Sequence, residues 1–437
     1  MFEEVLLEQN PFWEEPLTIK ENLIVRSKLK TVTSALDLRQ IIVITGIRRS
    51  GKSTLLKESL NYLINTKKIN PKNILYLNLE SPHFEKYKND PKYLDIIYKE
   101  FLELNNIKKD TKRYLLLDEI QFFKNWQVFV KSRYETDNVK FIITGSNAWL
   151  LSQEFSTLLS GRSISFTIFP FDFKEFLSYK GIPFSSNKEK IKNKLKIKKE
   201  IDNYLQEGGF PEIVINKNKK INKELLFNYY KNILYLDIVP RFNIKDTNIL
   251  EKLSNYLLNN ITHKYSYNKL SAHLGFSDKT IKEYISNLEK SYLVFELNKF
   301  DYSFKKQINS LKKLYVIDNG LLNAISFKFS KDLGKLYENL VFIELKRRNA
   351  DVYYYTTKSN LEVDFLVFEK TKVVSLIQVC YDLDNLNTLE RETKSLMEAS
   401  KELKCNNLII INNNLDKEEK IKNKTIKFVP LWKWLLE

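Results

Sequence analysis

The segment that most restricts the fold of this chain is residues 41–54. Five apolar or β-branched residues, Ile41–Thr45, run directly into the sequence GIRRSGKST. Two glycines at this spacing let successive backbone N–H groups turn toward one anion, and the lysine and serine follow at the start of a helix. The chain has only 10 glycines, so the pattern has few ways to arise by chance. It predicts a strand, a P-loop and a helix, with ATP as the ligand.

The positions of this loop have different predicted tasks. Backbone N–H groups should surround the phosphates, Lys52 should neutralise the β- and γ-phosphates, and Ser53 should ligate Mg²⁺. Two arginines inside the loop are expected to face solvent or a partner. The predicted nucleotide-binding residues are Gly46, Ile47, Arg48, Arg49, Ser50, Gly51, Lys52, Ser53 and Thr54.

Polar residues also follow two later apolar runs. Asp118 and Glu119 come after one run, so Asp118 is predicted to hold Mg²⁺ and Glu119 to polarise the hydrolytic water. The next run leads into Gly145, Ser146 and Asn147. We expect Asn147 or Ser146 to sense the γ-phosphate.

Four short apolar runs are typical of strands buried on both faces of a parallel sheet. Helix-like stretches, Lys52–Leu63 and Pro91–Leu104, lie between them. This alternation predicts a doubly wound α/β domain. The runs are Ile41–Thr45, Ile74–Leu79, Tyr114–Leu117 and Lys140–Thr144.

The order of GIRRSGKST, LLLDEIQ, ITGSNA and LLSGR, with QNPFW, FPFDFKEFL, GGFPEIV and LDIVPRF, resembles an archaeal and bacterial group of AAA+ ATPases. The resemblance implies an ATPase core at 1–164, a helical lid at 165–247, a winged helix-turn-helix at 248–330 and a nuclease-like domain at 331–437. It also implies a homo-oligomer, with a hexamer as one form, and a catalytic arginine from a neighbouring subunit. Arg162 is the first choice for that arginine, and Arg241 is the second.

A helix-turn-helix is predicted where two short helices flank Gly275 and Phe276. In the second helix Ile281, Ile285 and Leu288 should face inward, and the lysine-rich segment 292–317 should form a wing. A winged helix binds DNA or protein, and both partners stay open. The residues expected to contact DNA are Lys279, Thr280, Lys282 and Tyr284 from the helix and Lys305, Lys306, Lys312 and Lys313 from the wing.

The C-terminal part resembles the PD-(D/E)xK nuclease fold through Glu338, Asp364 and Gln378. In that fold acidic groups bind Mg²⁺ and a lysine assists the attacking water. Cys380 stands at the lysine position, and a thiol neither supplies the charge nor suits Mg²⁺. We therefore expect weak or absent cleavage, although Lys358 or another lysine could substitute in space. An α/β domain without any site is the alternative.

The net charge of +17 favours an anionic partner, DNA first, unless the lysines only solvate the surface. Two cysteines and three histidines exclude a disulfide framework and argue against a zinc enzyme. No apolar run approaches the ~20 residues of a membrane span, and the acidic N-terminus does not resemble a signal peptide. We expect a cytoplasmic, Mg²⁺-dependent ATPase that acts on DNA. The alternatives are a nucleotide-gated switch or scaffold that binds protein, and an ATP-regulated nuclease.

Overall fold

The computed structural model describes residues 1–16, 24–146, 161–326 and 332–437. These residues form two compact units, Met1–Phe169 and Pro170–Glu437. In the described ranges, no helix combines the length and the apolar character needed to cross a bilayer.

The first unit is built on a five-stranded parallel sheet with the order β2-β3-β4-β1-β5. Its central strands are buried along their whole length, which is why they read as continuous apolar runs. The predicted doubly wound α/β fold is confirmed, and the four predicted strands agree with the structure to within one residue. The strands are β1 Ile41–Thr45, β2 Ile74–Asn78, β3 Arg113–Asp118, β4 Val139–Gly145 and β5 Ser163–Thr167.

Strand β5 was not predicted. It is an edge strand with half-exposed and exposed residues, so its sequence, SISFT, carries no continuous apolar run. The expected boundary after residue 164 falls inside β5. The two compact units divide between Phe169 and Pro170, and the division into four domains stays a prediction.

Helices pack against this sheet through fully buried side chains such as Leu55, Leu56, Ile97 and Phe101. Both predicted helices are present, and a π-helical turn, Tyr62–Thr66, extends the first of them. The described helices of the unit are Glu3–Gln9, Leu29–Ser34, Lys52–Asn61, Lys92–Leu104 and Trp126–Thr136.

The second unit contains a two-stranded hairpin, a mixed six-stranded sheet and many helices. The hairpin pairs β6 Val294–Leu297 with β7 Lys313–Val316. The larger sheet has the order β12-β13-β11-β10-β9-β8. Its strands are β8 Asp351–Thr356, β9 Glu362–Glu369, β10 Lys372–Val379, β11 Leu408–Asn412, β12 Lys417–Ile421 and β13 Lys424–Pro430. The described helices are Phe173–Tyr179, Asn187–Lys192, Lys194–Glu207, Pro211–Ile215, Lys219–Asn232, Val239–Arg241, Thr247–Asn259, Tyr267–Leu274, Asp278–Lys290, Phe304–Asn309, Asn319–Ile325, Leu333–Arg347, Leu386–Leu403 and Leu431–Leu435.

Two features of this unit have no counterpart in the sequence pattern. The lysine-rich stretch 416–426 contributes the edge strand β12. Lysines on an exposed edge discourage pairing with other chains. The segment expected as a wing contains the helix Phe304–Asn309 between its two strands.

The GGFPEIV segment, residues 208–214, is held in place by the side chain of Asp318. The buried carboxylate accepts hydrogen bonds from the backbone N–H of Gly209 at 2.7 Å and of Leu321 at 3.1 Å. A Cβ atom at Gly209 would lie 2.3 Å from the carbonyl oxygen of Phe171, so only glycine fits there. One side chain thus joins two distant segments of the unit.

We predict that Asp318→Ala destabilises the unit, because two backbone N–H groups lose their buried acceptor. Each unsatisfied group costs about 1–3 kcal/mol. Asp246→Ala is the matched control, since Asp246 also accepts from two backbone N–H groups but is exposed. Thermal unfolding should show a clearly larger loss for Asp318→Ala. Equal losses in the two variants would contradict the prediction.

Candidate functional site

The loop Gly46–Thr54 follows β1 at the carboxyl end of the parallel sheet. Gly46 has φ 146°, and a Cβ atom there would lie 2.1 Å from the carbonyl oxygen of Ile168. Gly51 has φ 95° and immediately precedes the helix Lys52–Asn61. Both glycines are therefore required by the backbone path.

Lys52 is buried at the start of that helix, with 3% of its side chain exposed. Its ammonium donates to the carbonyl oxygen of Ile47 at 3.3 Å and lies 3.3 Å from Oε1 of Glu119. Burial would raise the pKa of Glu119, but the Lys52 charge and a hydrogen bond from Gln121 hold that pKa below its usual range. Glu119 is thus an ionised carboxylate next to the phosphate-binding lysine.

Glu119 also has φ 52°, in the left-handed region that non-glycine residues rarely adopt. Its backbone N–H donates to Oγ1 of Thr144 at 2.9 Å. The same hydroxyl donates to Asp118. Thr144 therefore holds both acidic residues, a role that the sequence analysis missed.

Asp118 lies buried at the end of β3. Burial raises its pKa, while hydrogen bonds from the Thr144 and Ser53 hydroxyls oppose that rise. The hydroxyl of Tyr76 donates to its second oxygen at 3.3 Å. Ser53 and Asp118 thus lie near each other, and both carry oxygen atoms, the ligands that Mg²⁺ prefers.

These residues fit ATP and Mg²⁺. Besides the glycine backbone and the Ser53–Asp118 pair, the loop holds the hydroxyl of Ser50, which is fully buried. Among the described residues it has no hydrogen-bond partner. A buried orphan hydroxyl is costly unless a ligand satisfies it.

Arg26 was also missed by the sequence analysis. Its guanidinium is buried and donates to the carbonyl oxygens of Ser50 and Phe169. Of the two loop arginines, Arg48 pairs with Glu80 at 2.7 Å, and Arg49 has φ 66°. Arg26 thus fixes the loop from a segment without a motif of its own.

Of the other predicted catalytic residues, Arg162 lies away from this site. Arg162 directly precedes β5, at the amino end of the parallel strands and so at the end of the sheet away from the loop, and pairs with Glu135 at 3.0 Å. A role in a neighbouring subunit stays a prediction. Arg241 belongs to the second unit. Asn147 lies outside the described residues, whereas Ser146 is buried and accepts from Gln121 at 3.3 Å.

The helix Asp278–Lys290 presents Lys279 and Lys282 to solvent, with Thr280 half-buried beside its N-terminus. Ile281, Ile285 and Leu288 are buried, as predicted. Tyr284 is buried too, so its expected contact with DNA is wrong: it lies on the inward face with the apolar residues.

The lysines expected on the wing divide into two groups. Lys305 and Lys306 are exposed on the helix Phe304–Asn309, and Lys312 is half-buried. The expected phosphate contact of Lys313 is wrong, because this side chain is buried within the protein. All four residues of β7 are buried, Lys313 included, whereas Lys312 lies just before the strand and keeps part of its side chain in solvent.

Lys313 lies among the acidic residues of the C-terminal part. Its ammonium is 3.0 Å from Glu338, 2.6 Å from Glu362 and 3.4 Å from Asp364. The hydroxyl of Tyr315 donates to Glu338 at 2.7 Å. Burial and the neighbouring Glu338 raise the pKa of Asp364. Glu338 and Asp364 thus meet as predicted, around a lysine from an earlier strand.

The other positions of the nuclease-like pattern do not form a metal site. Both ends of the Gln378 amide are used: Oε1 accepts from the N–H of Asp364, and Nε2 donates to the carbonyl oxygen of Glu362. Burial raises the pKa of Cys380 to about 11, so its thiol is neutral. Lys358 is exposed. Within the described ranges, no three acidic, histidine or cysteine side chains are arranged to hold a metal ion.

We predict that Lys313→Met destabilises the second unit, because three carboxylates lose their shared cation. Removing one partner from a buried ion cluster costs about 3–5 kcal/mol. Lys433→Met is the control, since Lys433 forms an exposed ion pair with Asp416. Thermal unfolding near neutral pH should separate the two variants. A Lys313→Met protein as stable as Lys433→Met would contradict the role of the cluster.

Three family models match the chain in succession. An AAA domain matches residues 38–177. Two domains of unknown function, DUF8612 and DUF4143, match residues 198–332 and 333–434. The first match agrees with the P-loop ATPase fold of the parallel sheet.

The chain is similar over nearly its whole length to the uncharacterised protein MJ1544 of Methanocaldococcus jannaschii, with 36% identity across 99% of this chain and 96% of that protein. An uncharacterised protein of Haemophilus influenzae is 33% identical across 84% of this chain and 90% of its own length. Among solved structures, the Aeropyrum pernix ORC1 protein in complex with DNA covers 72% of this chain and 96% of its own, with 13% identity and a TM-score of 0.31. So distant a likeness bears on neither function nor partners.

Proposed function

Because this chain belongs to the same family as the Methanocaldococcus jannaschii protein MJ1544 and carries an AAA+ ATPase domain, we propose that it binds and hydrolyses ATP. One observation carries the proposal: Lys52, Ser53, Asp118 and Glu119 come together at the loop end of the parallel sheet. A lysine, two oxygen ligands and an ionised carboxylate are the groups that phosphoryl transfer to water needs.

Each residue of the site has a distinct task in this proposal. Lys52 and the loop N–H groups bind the phosphates. Ser53 and Asp118 would hold Mg²⁺, which when bound supplies positive charge against the phosphate oxygens. Glu119, kept ionised by its lowered pKa, accepts a hydrogen bond from the attacking water and orients it.

In the described conformation Lys52 contacts Glu119 directly. A phosphate that takes over the Lys52 ammonium releases the Glu119 carboxylate, so nucleotide binding and activation of the base are linked. Gln121, which donates to both Glu119 and Ser146, extends this link to the end of β4.

We further propose that ATP turnover is coupled to nucleic acid, and that the second unit binds this nucleic acid in the manner of a winged helix. The support is the charge of +17, the two-helix element Tyr267–Leu274 and Asp278–Lys290, and the exposed lysines beside it. The competing function is a nucleotide-gated switch that binds protein, which the same fold could perform. An ATP hydrolysis rate that DNA does not change would favour this switch.

The acidic cluster supports stability rather than cleavage. Its acidic side chains already contact the Lys313 ammonium, and the amide of Gln378 is engaged by neighbouring backbone. A Mg²⁺ ion would have to displace a buried lysine to reach Glu338 and Asp364. We therefore propose that the chain is not an active nuclease.

We predict that Glu119→Gln retains ATP binding but lowers the rate of hydrolysis about 100-fold or more, because a neutral amide cannot take a proton from water. Lys52→Ala should lose ATP binding itself. Binding of a fluorescent ATP analogue and release of phosphate measure the two steps separately.

Glu80→Gln is the matched control for that experiment, since Glu80 pairs with loop residue Arg48 but lies outside the acidic pair. Its turnover should stay within a few-fold of the wild type. Near-normal turnover in Glu119→Gln would mean that another group is the base.

We also predict that nucleic acid raises the steady-state rate of ATP hydrolysis several-fold. Single-stranded, duplex and branched DNA should be compared at low salt, where phosphate contacts are strongest. A rate unchanged by all three would favour the protein-binding switch.

A further inference from the structure

A cavity of about 530 Å³ lies in the second unit, between the start of the helix Tyr267–Leu274 and the helix Phe304–Asn309. This volume lies in the range of about 300–1,000 Å³ typical of small-ligand sites. Amide side chains, including Asn268 and Asn309, line the cavity together with Tyr267. Amides both donate and accept hydrogen bonds, as the edges of nucleobases do.

Positive charge surrounds this cavity. Lys282 and Lys312 line it, and their ammonium groups lie 5.3 Å and 5.9 Å from the centre of the Tyr267 ring. Lys305 and Lys306 project from the adjoining helix into solvent. Neither of these two forms an ion pair within the parts of the chain that the structure describes. Three acids of this region are engaged: Glu296 accepts from Tyr267, Asp278 pairs with Lys282, and Asp301 accepts from the N–H of Ser303.

Aromatic rings are exposed beside the same lysines. Tyr302 and Phe304 expose 75% and 73% of their surface. Phe304 and Ile308 lie one helical turn apart, so both apolar side chains follow one face of the helix. The ring of buried Phe300 packs edge-on against Tyr302 at 5.1 Å and fixes its position. Phe304 and Ile308 also line the cavity, and apolar side chains exposed together mark binding surfaces.

We propose that this surface binds single-stranded nucleic acid, with one unpaired nucleotide in the cavity and neighbouring bases stacked on Tyr302 and Phe304. The proposal rests on the nucleic-acid coupling proposed above and names its substrate class. Rings can stack only on bases that are not already paired and stacked within a duplex. Lys305 and Lys306 then meet the phosphates. An acidic peptide could use the same charge but would not need the amide-lined cavity.

The test uses the full-length protein and a fluorescently labelled oligothymidylate of about 20 nucleotides, with a blunt duplex of equal length for comparison. Fluorescence anisotropy gives the Kd between about 50 and 300 mM salt. The wild type should bind the single strand more tightly than the duplex. Tyr302→Ala/Phe304→Ala should weaken single-strand binding about 10-fold or more without changing the salt slope.

Lys305→Ala/Lys306→Ala should instead lower the slope of log K against log salt by about 1.4, since each phosphate contact contributes about 0.7 on single strands. The matched controls are Phe227→Ala for an exposed ring and Lys220→Ala/Lys223→Ala for exposed lysines. Tyr302→Phe/Phe304→Trp keeps the rings and should keep the affinity, which separates stacking from a folding defect.

Several results would overturn the proposal: unchanged single-strand binding in Tyr302→Ala/Phe304→Ala, equal affinity for duplex, or binding of an acidic peptide but not of DNA. ATP hydrolysis measured on the same samples keeps the two proposals apart. Hydrolysis without ring-dependent DNA binding overturns only this inference. If DNA binding depends on the rings but no Glu119-dependent ATP hydrolysis is found, this inference stands and the proposed ATPase is overturned.

Discussion

The nucleotide loop depends on a backbone contact so close that it leaves no room for a side chain at Gly46. Gly46 lies so close to the carbonyl oxygen of Ile168 that a Cβ atom would collide with it. The N–H of Ile168 in turn donates to Thr45 at 2.7 Å, so the chain leaving β5 passes directly against the loop. Arg26 ties Ser50 to Phe169 in the same place. The P-loop is therefore shaped by an edge strand more than 100 residues away as much as by its own glycines.

A second constraint recurs in this lysine-rich chain: a buried ammonium must be surrounded by oxygen atoms. Lys140 donates to the carbonyl oxygens of Ala35, Leu38 and Gln40, and burial lowers its pKa to about 8. Lys313 uses three carboxylates instead. Lys52 has one carbonyl and one carboxylate. Among these three buried lysines of the described residues, only Lys52 has a mixed and incomplete shell of oxygen atoms, which suits its proposed role in binding phosphate.

Sequence patterns predicted the structural features that depend on residues adjacent in the chain. The strand–loop–helix around Gly46 and the acids ending β3 could be read directly, because their chemistry is carried by consecutive residues. Strand β5 escaped because an edge strand needs no continuous apolar run. Lys313 was placed on the surface because a lysine is rarely buried without partners, and the sequence does not reveal that both faces of β7 are covered. Its partners, Glu338, Glu362 and Asp364, lie on a later helix and strand, and no local pattern links them to β7.

The contact between Lys52 and Glu119 has a consequence for the order of events. A carboxylate that is ion-paired to a lysine is a poor acceptor for a proton from water, so the base is masked while that contact lasts. The left-handed backbone of Glu119 is a costly conformation, about 1–3 kcal/mol, and the hydrogen bond from its N–H to Thr144 maintains it. Because the backbone is already fixed, release of the side chain by phosphate requires only a rotation about its own bonds. In the proposed ATPase, water is therefore activated only when the loop is filled, which protects the site from idle proton transfer and makes turnover depend on how the phosphates meet Lys52.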